Sequence, residues 1–297
     1  VKKPYRAVRR YALNTQGRDF VVGDVHGCFS LLDEKLASVA YDSRNDRLFS
    51  VGDLVDRGPE STLVLDAVRQ HKIKAIRGNH EDMILRWYTG YTSSDQLLAN
   101  GAEWFIAMAD GSGRAKRFAN FMASLPYAIE IESSSGLIAL LHADVPFDDW
   151  EKLTAALGDE RRGDLVRRQV LWQRSRWREY REGDGRDFSP SLATVFGLPV
   201  GGLRSATFDP HREINGVFAA IVGHTPVPKP TVRGNVINID TGAVYGGTLP
   251  VLQRPTLLFL HSLGRESTDA VGPGGATTLL CDHGPIRHFV GGAYHER

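Results

Sequence analysis

The sequence predicts a layered α/β domain, and three observations carry that prediction. Its first third repeats one unit three times: a short apolar run, a glycine-punctuated loop, then an amphipathic segment. Further apolar runs of strand length follow at 127–132, 136–141, 218–222, 236–239 and 249–252. At 297 residues, with 42% hydrophobic and 24% charged residues, the chain is long enough for one substantial core, or for one core with an attached subdomain.

Taken in order, residues 1–17 form a basic N-terminal extension with no apolar stretch of the kind a secretory leader carries. Residues 19–23 read as a strand, and Ser30 opens a helix to about Val39 with Asp33 as its capping-box partner. Residues 47–51 form the second strand. Pro59 sits at a first helical position before STLVLDAVRQH, where Leu63, Val64, Ala67 and Val68 share a face. Residues 74–76 form a third strand, with a helix from Glu81 to about Tyr88. Residues 92–125 read as a helical cap around a break at DGSG (110–113). Strands at 127–132 and 136–141 meet at the SSSG turn, and helices lie between Trp150 and Gln173. Residues 175–216 form an irregular insertion; the main domain spans 18–253, and 254–297 is a C-terminal extension.

Composition narrows the function classes. A formal net charge of +1 argues against a nucleic-acid specialist. No apolar run approaches the roughly 20 residues of a membrane-spanning helix. Two cysteines, Cys28 and Cys281, make no disulfide framework. A reduced, cytoplasmic setting is expected, and the oligomeric state is not legible.

Chemistry collects at the strand ends: GDVHG (23–27), GDLVDRG (52–58), RGNHE (77–81), HAD (142–144) and GHTP (223–226). In an open α/β sheet ligands gather beyond the carboxyl ends of strands, so these five loops are expected to converge. Asp24, His26, Asp53, Asn79, His142 and His224 then offer oxygen and imidazole nitrogen without thiolate, a set suited to manganese, iron or zinc. Six side chains exceed what one ion needs, and two divalent ions sharing one carboxylate fit better. Arg57 and Arg77 are candidates for binding phosphate oxygens. His80 is placed to give a proton to a leaving oxygen, with Asp56 holding its ring. Taken singly, each has a plainer reading: Asp53 as a helix cap, Asn79 as a turn residue, the arginines as solvated surface charges, the histidines as structural. The ordered set favours the metal site.

These motifs, with LLHADVPFD and INIDTGAVYGG, resemble the phosphoprotein phosphatase family of metallophosphoesterases, closest to the bacterial and bacteriophage lambda type of serine/threonine protein phosphatase. The resemblance covers about residues 18–253. It implies a calcineurin-like β-sandwich flanked by helices, four layers in the order α/β/β/α. One metal would be held by Asp24, His26 and Asp53, and the other by Asp53, Asn79, His142 and His224. Manganese is the first candidate, with iron or zinc next. His80 would be the general acid and Asp56 its partner. Phosphate would meet Arg57, Arg77, Arg174 of VLWQRSR and Tyr245 of GAVYGG. The implied reaction is direct attack of metal-bound hydroxide on phosphoserine or phosphothreonine of a protein. One rival is hydrolysis of a small phosphoester such as diadenosine tetraphosphate by a symmetrical hydrolase, a group that tends to lack the aspartate corresponding to Asp56. Another is a silent scaffold that only binds phosphorylated partners.

Overall fold

A computed structural model describes residues 6–109, 111, 113–159, 163–178 and 208–253. The C-terminal extension and most of the 175–216 insertion lie outside the described residues, as do Asp110 and Ser112 of the DGSG break.

The apolar runs sort by alternation. In β2 (Asp19–Val22), Phe20 and Val22 join a cluster containing the helical residues Leu32 and Leu36, while Val21 points the other way, to Phe49, Ile129, Ile138 and Ile221. That second cluster draws on strands and strand ends alone, so it is the centre of a sandwich. One sheet runs β10 (Val251–Gln253), β2, β3 (Arg47–Ser50), β4 (Lys74–Ala75). The other runs β1 (Val8–Tyr11), β5 (Ala128–Ser133), β6 (Gly136–Leu140), β7 (Ala219–Val222), β9 (Val236–Asn238), β8 (Thr231–Arg233). Strands β2, β3 and β4 are parallel, as are β6, β7 and β9. Both sets therefore send the loops after their carboxyl ends toward one rim, where the five motifs lie.

The helices are α1 (Phe29–Ser38), α2 (Val64–Gln70), α3 (Asn79–Tyr88), α4 (Ser94–Leu98), α5 (Glu103–Met108), α6 (Arg114–Ser124), α7 (Trp150–Gly158) and α8 (Gly163–Trp172). Several starts differ from the sequence reading. Ser30 is not a cap: α1 begins at Phe29, and the Ser30 backbone and hydroxyl both donate to the Glu60 carboxylate. Asp33 instead lies 2.6 Å from Nε2 of His71. After Pro59 the chain makes a short 3₁₀ turn, Ser61–Leu63, before α2 starts at Val64. Helix α3 begins at Asn79, earlier than read, which puts Asn79 and His80 on its first turn.

Two strands were not anticipated, β1 and β8, and each is an outer strand of the six-stranded sheet. β1 lies within the stretch read as an N-terminal extension, and it pairs in parallel with β5 from Val8↔Ala128 to Tyr11↔Ile131. Among the described residues no helix is long and apolar enough to cross a membrane.

Candidate metal centre and active site

The first two loops are laced together through backbone. Val25 and His26 N–H both donate to the Asp53 carbonyl, at 3.1 and 2.8 Å, and Gly27 N–H donates to Leu54. The conformations are costly: His26, Asp53, Asp56, Arg57 and His224 all have positive φ, from 45° to 71°. Non-glycine residues held this way cluster where surrounding structure over-determines them, typically at functional sites. The glycines are demanded by close approach. A Cβ at Gly78 would lie 2.1 Å from Asp53 Oδ1, and one at Gly223 2.0 Å from Asp24 Oδ1.

Asp53 occupies the middle. Its Oδ2 is 3.5 Å from Nε2 of His26 and 3.9 Å from Nε2 of His80, while its Oδ1 is 3.4 Å from Nε2 of His142. Two compact groups of ligand atoms result, His26–Asp53–His80 and Asp53–His142–His224, each within 4.8 Å. Asp53 belongs to both. The first group takes in His80 where the sequence reading had Asp24. Asp24 is also buried and receives the His224 backbone N–H at Oδ2 (3.0 Å).

Tautomers follow from carbonyl partners, which can only accept. Nδ1 of His26 donates to Val55 O and Nδ1 of His142 to Val51 O, both at 2.8 Å, leaving each neutral ring with a lone pair at Nε2. For His142 that lone pair faces Asn79 Oδ1 at 2.8 Å and Asp53 Oδ1 at 3.4 Å. The same Asn79 oxygen lies 2.8 Å from Nδ1 of His224. Imidazole nitrogens and carboxylate and amide oxygens thus converge on one point, an arrangement that a bound cation would satisfy. Among the described residues, buried Asp24 Oδ1, His80 Nε2 and His224 Nε2 have no hydrogen-bond partner. The donor set, imidazole nitrogen with carboxylate and amide oxygen, fits a divalent metal centre.

Charge says the same. Burial, then Asp240 and Asp53, pushes the Asp24 carboxyl well up. Burial pushes Asp53 up too, but the imidazoles of His142, His80 and His26 outweigh it and hold its carboxyl well below the usual range. Burial and Arg57 hold His26 down to about 4 and His80 well below its ordinary value. For His224 burial and Arg174 do the same. For His142 burial pulls downward, but Asp53 outweighs it and raises the ring above its ordinary value. Buried carboxylates crowded against imidazoles are the environment a divalent cation relieves.

Beside this centre His80 Nδ1 lies 2.7 Å from Asp56 Oδ2, both fully buried, so the expected pair is in contact. Arg57 is exposed. Its Nη1 donates to His26 Nε2 at 2.7 Å, and its guanidinium sits 5.6 Å from the ring of Tyr245, itself 59% exposed. Arg174 Nη1 donates to Thr225 Oγ1 at 3.1 Å, beside His224. Arg77 stands differently. Its guanidinium donates to Tyr127 Oη (3.0 Å), Ala123 O (3.0 Å) and Asp82 (3.3 Å), toward the end of α6.

Three contributors escaped sequence reading. Glu81 accepts from the backbone N–H of Asp53 (3.0 Å), Leu54 (2.8 Å) and Gly78 (2.7 Å), tying the second loop to the third. Burial and Asp53 push its carboxyl up to about 7. Its place three residues after Gly78 is a capping-box signal that could have found it. Trp104 donates its indole N–H to Asp56 Oδ1 at 2.7 Å. Asp144 forms a fully buried pair with Arg176, 3.3 Å apart. Asp144 closes the HAD motif without its pairing being legible there, and no local pattern marks Trp104.

Comparison with known proteins agrees with this geometry. The profile of the calcineurin-like phosphoesterases matches residues 20–228. Serine/threonine-protein phosphatase 1 of Salmonella typhimurium is 32% identical over 250 residues, 83% of this chain and 96% of its own. The asymmetrical bis(5'-nucleosyl)-tetraphosphatase PrpE of Anoxybacillus flavithermus is 29% identical over 256 residues, 80% of this chain and 90% of its own. The structure of a protein serine/threonine phosphatase from Saccharomyces cerevisiae superposes with a TM-score of 0.52 at 17% identity, over 80% of this chain and 71% of that one. The chain belongs to the calcineurin-like phosphoesterases, hydrolases of phosphoric esters, and within them to the phosphoprotein phosphatase family.

Proposed function

We propose that the protein removes phosphate from serine and threonine side chains of proteins, with two divalent ions, manganese first among them, in the cytoplasm. The observation that carries this reading is Asp53, whose two carboxylate oxygens face different groups of imidazoles beside the His80–Asp56 pair.

Asp24, His26 and Asp53 would hold one ion, and Asp53, Asn79, His142 and His224 the other. A bound pair of this kind makes water acidic enough to supply a nucleophile near neutral pH and screens the charge of the phosphoryl group. The chain's own groups do the rest. Arg57 at the rim and Arg174 beside the His224 loop supply planar donors for phosphoryl oxygens. Tyr245 covers the outer face of Arg57. Asp56 fixes the His80 ring through Nδ1, so that in the imidazolium form Nε2–H is the donor aimed at a departing serine or threonine oxygen.

A second reading is favoured by the PrpE relatives: hydrolysis of dinucleotide polyphosphates. A turnover panel with Mn²⁺-loaded protein separates them. It compares phosphoserine, phosphothreonine and phosphotyrosine peptides with diadenosine tetraphosphate and bis-p-nitrophenyl phosphate. The protein-phosphatase reading expects the first two to be the best substrates by kcat/KM. Dominance of diadenosine tetraphosphate overturns it.

A further inference from the structure

The metal loops do not hold the Asp56–Arg57 turn unaided. Both residues have positive φ, 71° and 67°. Such a turn persists only when neighbours over-determine it. From its own loop, Ser61 Oγ accepts the Asp56 N–H at 2.9 Å. Two further restraints come from the helical segment some forty residues on. The Gly101 carbonyl, in the link between α4 and α5, accepts the Arg57 N–H at 3.2 Å. Trp104, in the first turn of α5, donates to Asp56 Oδ1. The approach is close enough that a Cβ on Gly101 (φ 80°) would lie 2.7 Å from the Arg57 nitrogen. The indole is itself braced edge-on by Phe105 and Phe118, at 5.5 and 5.6 Å between centroids.

We infer that Trp104 and the Gly101 carbonyl form a clamp by which the helical segment positions both the His80–Asp56 pair and Arg57. Asp56 uses one oxygen on the His80 ring and the other on Trp104. Removing the indole donor frees the carboxylate to rotate, and the ring it orients loses its fixed direction. Trp104 is a positioning residue; it acts through Asp56. The segment thereby gains a role in catalysis. This rests on the proposed phosphomonoesterase reading, and the test keeps the two apart.

The test is a double-mutant cycle between Trp104→Phe and Asp56→Asn, read on two substrates. Loss of one hydrogen bond to a charged group predicts about a tenfold fall in phosphoserine-peptide kcat for Trp104→Phe, with KM held and p-nitrophenyl phosphate within about threefold. In the Asp56→Asn background the same change should add less than about twofold. Equal losses on both substrates, or full additivity, overturn the clamp. Where Trp104→Phe fails to fold, site-specific 3-benzothienylalanine keeps the ring shape and deletes only the N–H. A second readout needs no turnover: ¹⁵N-histidine spectra of the full chain, with the His80 ring signal assigned by its loss in His80→Asn. The clamp expects that signal to shift or broaden in the Trp104 variant, and an unchanged signal counts against it. If the unmodified protein hydrolyses neither phosphomonoester, the functional reading fails, and the spectra alone decide the clamp.

Discussion

His80 is the residue on which the proposed chemistry makes its sharpest demand. Its Nδ1 is committed to Asp56, and its buried Nε2, facing Asp53, has no hydrogen-bond partner among the described residues. A group that protonates a leaving oxygen matters most when that oxygen is a poor leaving group. His80→Asn should therefore cut phosphoserine turnover about 100-fold or more, and p-nitrophenyl phosphate turnover far less. Equal losses on both would remove His80 from the acid role. Glu81 makes a demand of another kind. Glu81→Ala would strand the buried N–H groups of Asp53, Leu54 and Gly78, each at a cost of about 1–3 kcal/mol. It should also weaken Mn²⁺ binding by about 10- to 100-fold, as loss of a group that orients ligands does. Calorimetric Mn²⁺ titration checks this, and unchanged affinity would mean that the loops hold their shape without Glu81.

At the scale of elements, the strand-start corner around Asp46 gives a pH prediction away from the metal loops. Asp46 accepts from the backbone of Arg18 and Asp42 and pairs with the Arg18 guanidinium at 2.6 Å, joining the entry of β2 to the turn before β3. Burial raises its carboxyl, but these hydrogen bonds outweigh burial and leave it below its ordinary value. A depressed carboxylate contributes stability above the unfolded pKa of about 3.9, and loses it as pH falls through the folded value. Asp46→Asn should thus cost about 1–3 kcal/mol in urea unfolding at pH 7, with the gap closing in acid. A gap that persists in acid would assign the loss to packing.

Elements also show why some structure was legible and some was not. The buried strands were read because their apolar runs are continuous, as in AAIV of β7, buried along its whole length. The two unread strands are outer strands. VRRY of β1 puts Arg9 and Arg10 on an exposed edge, and TVR of β8 is nowhere fully buried. Charge that protects an edge from pairing also conceals it from a reader of apolar patterns. In the site, the residues that converge at the rim were legible because each follows a strand within a few positions. Trp104 was not, because its partner Asp56 is brought near only when the helical segment folds back.

For the whole molecule the governing quantity is charge held out of water. Asp24, Asp53, Asp56, Glu81 and Asp240 are all buried near one rim, and burial first, then neighbouring carboxylates, push Asp24, Asp56, Glu81 and Asp240 up. Binding of a cation to the folded state alone must then raise stability, by about 2.7 kcal/mol at a free concentration 100 times Kd. Thermal unfolding after chelation should show a lower midpoint than with Mn²⁺ restored. Coincident midpoints would show that the cluster does not hold the metal.

The rim has one more consequence. Asp24, His26, Asp53 and Asn79 follow strands of the four-stranded sheet, whereas His142 and His224 follow strands of the six-stranded sheet. Asp53 faces imidazoles of both. Neither half of the sandwich can assemble the centre by itself. On the proposed assignment, a chain with one sheet unformed should be chemically silent, so that turnover would serve as a certificate of completed folding.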